Sequence, residues 1–147
     1  MESRSVSIAW KIMMVPHFVA LFFALLFTFF ADAVLSMGFE PFTGQSWSGI
    51  VSASPKIAEY ILMWLRTLGV MSLVVTVYAF AITLMIFRRG ERWSWYALLI
   101  GATLGWIFDA VAVLIMGIVP VVVVDIIMLL IVYVALGISA RDILSKK

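Results

Sequence analysis

The chain has 147 residues, 65% of them hydrophobic and 12% charged, with a net charge of +2 and a mean hydropathy of +1.19. Soluble domains carry about 25% charge, so this chain has too little polar surface to face water all round, and lipid is the solvent its composition fits. The charge balance, with no basic patch interleaved with aromatics, excludes a nucleic-acid partner; the absence of Cys excludes disulfides, thiolate metal sites and thiol catalysis, and a single His, His17, excludes a multi-histidine metal or haem site.

The chain opens with "MESRSVSIAWKIMM", a mixture of polar and apolar residues, and Val15-Pro16 comes next. Proline disfavours helix in the residue before it. The segment is therefore expected either as a short interfacial helix joined by a bend to the first span, or as a flexible tail. An apolar run then covers residues 17–37, interrupted by Asp32. A basic start, an apolar core and Ala31-Asp32-Ala33 have the outline of a cleavable signal peptide. The run is too long for that, and an acid inside the cleavage site is unusual, so the segment reads as a retained first span.

Residues 38–56, "GFEPFTGQSWSGIVSASPK", form the one long connection, punctuated by Gly, Pro and Ser. Ser54 before Pro55 reads as an N-cap, with proline at the first helical position. The second span is expected over 57–87, the third over 93–118 and the fourth over 121–140. Each holds at least the ~20 residues that cross ~30 Å of hydrocarbon at 1.5 Å per residue. Inside lipid the backbone must satisfy its own hydrogen bonds, so these runs are helices despite their many Val and Ile residues. The connection "RRGER" is short, and Gly117 to Pro120 is a tight turn. Consecutive helices are then neighbours, which predicts an all-α, up-down four-helix bundle in a single domain.

Basic residues set the direction. Arg4, Lys11, Arg88, Arg89, Arg92, Arg141, Lys146 and Lys147 are eight of the ten Lys and Arg residues, and four crossings put them all on one side. The positive-inside rule makes that side cytoplasmic and places both termini there. Trp10, Trp93, Trp95 and Tyr96 suit the inner aromatic belt.

Each span also brings one charge close to the other face: Asp32, Arg66, Asp109 and Asp125. Counted from the outer ends of their spans, Asp32 and Asp125 lie about 8 Å deep and Asp109 about 15 Å. An unpaired charge at the centre of a membrane helix costs about 2.5–3.5 kcal/mol on insertion scales. The four are therefore expected to converge on the bundle interior, with Arg66 paired to Asp109 or, next, to Asp32. Such a cluster either fixes helix register or holds a proton, a cation or a polar ligand. Ala97, Gly101, Gly105 and Asp109 recur every four residues and share one helix face. A small-residue face lets backbones approach, so Gly101 and Gly105 are expected to pack on a neighbour offering Gly69, Thr76 and Thr83. His17, after Pro16, reads as a headgroup contact.

There is no nucleotide-binding loop, dinucleotide fingerprint, zincin motif or hydrolase triad. No residue set calls for a metal or a cofactor. The segment "FRRGERWSWYALL", Phe87 to Leu99, resembles the turn joining two helices in small four-span membrane proteins of bacteria and archaea. In size and topology the chain is similar to DoxX-like proteins and to the EXPERA sterol-isomerase and sigma-receptor group. That resemblance implies a membrane enzyme or a binder of lipid-soluble ligands, and carries over no catalytic residue. The residues themselves point first to a non-catalytic accessory or assembly subunit of a larger complex in the cell membrane. Its partners would be the bilayer and other membrane subunits or further copies of the chain. A small proton, cation or polar-solute transporter built on the Asp/Arg cluster is the alternative.

Overall fold

The computed structural model describes residues 3–115 and 117–145. Lys146 and Lys147, two of the positive charges assigned to the cytoplasmic side, lie outside the described residues. The described chain is helical, with no strand: α1 (Arg4–Phe29), α2 (Ala31–Thr43), α3 (Trp47–Ala53), α4 (Pro55–Ala81), α5 (Arg92–Ile115) and α6 (Val119–Leu144). Helix α4 runs on through a π turn, Ile82–Ile86, and a 3-10 turn, Phe87–Arg89. Four stretches are long and apolar enough to cross a membrane: Arg4–Phe29, Pro55–Arg89, Arg92–Ile115 and Val119–Leu144.

Two expectations about the first half need correction. Residues 4–16 are neither a tail nor a separate helix, because α1 passes through Pro16 without a break. The proline lacks an N–H and leaves the Ile12 carbonyl without its helical donor, yet its ring is fully buried, and packing holds the helix together. The apolar run to Met37 is also not one helix. It breaks at Phe30 (φ −121°, ψ 26°), and α2 starts at Ala31. The first membrane-length helix is therefore Arg4–Phe29, about 39 Å long at 1.5 Å per residue. The expected loop 38–56 is largely helical too. Helix α2 reaches Thr43 and stops at Gly44, whose φ of 72° suits glycine, with its N–H bonded to the Glu40 carbonyl. Ser46 then caps α3 by accepting from the Gly49 N–H at 3.2 Å.

The chain divides into two compact units, one of Met1–Phe18 with Val77–Lys147, the other of Val19–Thr76. In the first, α5 and α6 form an antiparallel hairpin. Its turn is a Schellman motif: the Gly117 N–H (φ 77°) bonds the Leu114 carbonyl and the Ile118 N–H bonds the Val113 carbonyl. The core of this unit lies around the 3-10 turn that leads to α5. Val6, Ala9 and Met13 from α1 meet Phe87, Leu98 and the α6 stripe Val132, Ala135, Leu136 and Ile143, all 6% exposed or less. Ala9, Ser94, Ala135 and Ser139 are each 0% exposed, and such small side chains let helices come close. Ser5 donates to Asp142, tying the start of α1 to the end of α6. The Trp10 ring lies under the Arg88 guanidinium at 5.2 Å, a cation–π contact that fastens the 3-10 turn to α1.

In the second unit, Gly69 of α4 lets the backbone of α1 approach. A Cβ at Gly69 would stand 2.5 Å from the Thr28 amide nitrogen and 2.8 Å from the Phe27 carbonyl carbon. Only glycine fits there. Outside the helices of membrane length, α2 packs on α3 through the Phe39 and Trp47 rings, 5.2 Å apart.

Candidate functional site

The membrane charges divide between the units: Asp32 and Arg66 belong to one, Asp109 and Asp125 to the other.

Asp32 is exposed, in the first turn of α2, where a carboxylate suits the positive end of the helix dipole. Its Oδ1 accepts a 2.7 Å bond from the Trp47 indole N–H. Its role is local: it anchors α3 to the start of α2. Asp32 lies outside the membrane-length helix Arg4–Phe29, in the helix that begins after the break at Phe30.

Arg66 is exposed on α4, and among the described residues of its unit it forms no ion pair. It shares an open hollow with Glu59, Leu62, Met63, Thr67 and Val70. All six lie on α4, so the hollow is the flank of a single helix rather than an enclosed pocket.

Asp109 and Asp125 are brought to one level of the α5–α6 hairpin. Asp109 lies six residues before the end of α5 and Asp125 six after the start of α6. Two bonds pin that register. The Trp95 indole N–H donates to the Leu136 carbonyl at 3.0 Å, and the Thr103 and Tyr133 hydroxyls meet at 3.0 Å. The two acids differ sharply in surroundings. Asp109 is exposed, whereas Asp125 is 2% exposed and its Oδ2 has no hydrogen-bond partner among the described residues. Unsatisfied polar atoms of this kind are few in folded proteins and cost about 1–3 kcal/mol each.

The glycines fall on two different kinds of surface. The close contact expected at Gly101 and Gly105 is not found among the described residues: both are exposed, and a Cβ at either would meet nothing within 4 Å. Gly101 and Gly105 stand open, while Leu98 and Ala102 pack on the core and Thr103 meets Tyr133 of α6. Gly69 does make a close approach, but to Thr28 of α1 rather than to the third span.

His17 is the residue whose setting differs most from its sequence reading. It is 8% exposed, not at a headgroup surface, and its Nε2 lies 2.8 Å from the Thr83 hydroxyl. Phe80 packs against the imidazole edge-on, with centroids 5.3 Å apart. Thr83 sits in the π turn, whose wider ring sets it off the α-helical register. Nothing in residues 82–86 marks a π turn in advance. The available signal was the spacing of Gly69, Thr76 and Thr83 by sevens, three small or polar residues that are all buried.

Comparison of the chain with protein-family models, with curated proteins and with solved structures finds no match to any of them.

Proposed function

We propose that the chain is an integral protein of the cell membrane, crossing four times with both termini in the cytoplasm, and that it serves as a non-catalytic subunit of a larger membrane assembly. The orientation rests on the basic residues at the start of α1, between α4 and α5 and at the end of α6.

The assembly reading rests on the open face of α5. Only 6% of the most apolar window of that helix is buried, against 22% for α6. Its outward face carries Gly101, Gly105 and, at one end, the exposed Asp109. A carboxylate turned to hydrocarbon costs about 2.5–3.5 kcal/mol. A second membrane helix seated on the glycines, with a donor at the level of Asp109, removes that cost and gains close backbone contact. Exposed Arg66 on α4 makes the same demand for a polar partner.

The geometry makes the test clean. Because nothing lies within 4 Å of a Cβ at Gly101 or Gly105, leucines there are compatible with the fold of the chain while filling the surface a partner needs. The native chain, extracted in mild detergent, is expected to migrate with partner subunits. The double variant Gly101→Leu, Gly105→Leu is expected to be folded and to migrate alone. A native chain that purifies as a stable lone monomer refutes the reading.

A further inference from the structure

Asp125 poses a chemical problem that the assembly role does not solve. Its carboxyl group is 2% exposed, and one oxygen, Oδ2, has no donor among the described residues. A second acid, Asp109, stands at the same level on the facing helix. Among the described residues of this unit no cation is near enough to balance the pair. Arg92, at the start of α5, is 17 residues from Asp109, about 26 Å along the helix. Arg141, in the last turn of α6, is 16 residues from Asp125, about 24 Å. Lys11 and Arg88 stand over the Trp10 ring, and Arg4 and Arg89 belong to the start of α1 and to the 3-10 turn at that same basic end. Among the described residues no third Asp, Glu, His or Cys joins the two acids, so a divalent ion lacks the ligands to hold it.

Two carboxylates at one level of a helix pair, one of them buried and lacking a donor, are not both stable as anions in a medium of low dielectric. A carboxylic acid can stand there. An O–H on Asp125 turns the orphaned oxygen into a donor and removes one of the two like charges. We propose that Asp125 and Asp109 form a proton-binding site in which one proton is held between the two carboxyl groups, on Asp125 at rest and exchangeable with exposed Asp109. In the exchange the O–H bond of Asp125 breaks as an O–H bond forms on Asp109, and the negative charge moves the opposite way. Asp125 is the sheltered store, and Asp109, exposed on the outer flank of α5, is the side from which the proton enters and leaves. The neighbouring Thr103–Tyr133 hydroxyl pair lies two turns along the hairpin and lines the same helix contact.

Infrared spectroscopy of the full chain in lipid nanodiscs tests this, because a protonated carboxyl absorbs apart from a carboxylate and shifts in heavy water. At neutral pH the native chain is expected to show a protonated-carboxyl band. Asp125→Asn should abolish it. Asp109→Asn should leave a band at a different frequency, since the remaining acid loses its charged neighbour. The second variant keeps the question open to refutation even if the first does not accumulate. Absence of the band in the native chain, its survival in Asp125→Asn, or an unmoved band in Asp109→Asn each overturns the proposal. So does a band that sodium chloride erases and potassium chloride does not, because the pair would then be a sodium site.

Discussion

Replacing Gly69 by alanine sets two effects of opposite sign against each other. In the interior of a helix alanine is favoured over glycine by about 1 kcal/mol, so propensity alone raises stability. Packing works the other way. The new Cβ would sit 2.5 Å from the Thr28 amide nitrogen and 2.8 Å from the Phe27 carbonyl carbon, both backbone atoms that no rotamer change can move. Ordinary contact begins near ~3.5 Å, so α1 and α4 must separate by roughly 1 Å. Overpacking of this kind costs about 1–3 kcal/mol, and contact with backbone puts the site at the upper end. The net expectation is a loss of about 1–2 kcal/mol. For a chain of this length that corresponds to a fall of about 3–6 °C in the unfolding midpoint. The six tryptophans give the signal, read as intrinsic fluorescence during heating in detergent. Gly101→Ala is the internal control. Its Cβ meets nothing, so propensity acts unopposed and the midpoint should rise. A Gly69→Ala chain as stable as the native one, or stabilised in step with Gly101→Ala, refutes the close approach of α1 and α4 at this point.

Two more predictions accompany this one. Because the native chain has no Cys, a Cys at Ser46 should react with an impermeant reagent in intact cells and one at Ser145 should not; the reverse pattern inverts the proposed orientation. Thr83→Val removes the 2.8 Å partner of buried His17 and should cost about 1–3 kcal/mol, whereas Thr83→Ser keeps the hydroxyl and should cost less; equal stability of the two variants would show that the bond contributes nothing.

The long helices were legible because a run of about 20 apolar residues has few other physical uses. The turn at Gly117 was legible as well, because a glycine followed three residues later by a proline punctuates the apolar run. Composition hid the break at Phe30. Residues on both sides of it are apolar, so hydropathy runs on to Met37 across the change in backbone angles at Phe30. That break puts Asp32 in the first turn of α2, outside the membrane-length helix Arg4–Phe29. The helical content of the stretch after Gly38 was hidden by its Gly and Pro residues, although Pro41 sits inside α2 without ending it. The level shared by Asp109 and Asp125 comes from the hairpin. The separate depths of about 8 and 15 Å came from carrying the third span past Ile115, the last residue of α5. His17 was misread for a different reason. Its burial depends on a π turn 66 residues away in sequence.

The Schellman turn at Gly117 bears on how the chain is made. It leaves only three residues between Ile115 and Val119, so no hydrophilic loop separates α5 from α6 during synthesis. The short turn suits the two helices to enter lipid as one hairpin instead of in succession. In such a pair Asp125 is already shielded by α5 when it meets hydrocarbon. The insertion cost that a lone α6 would bear, about 2.5–3.5 kcal/mol for its carboxylate, then falls on the hairpin as a whole, whose apolar length is more than enough to offset it.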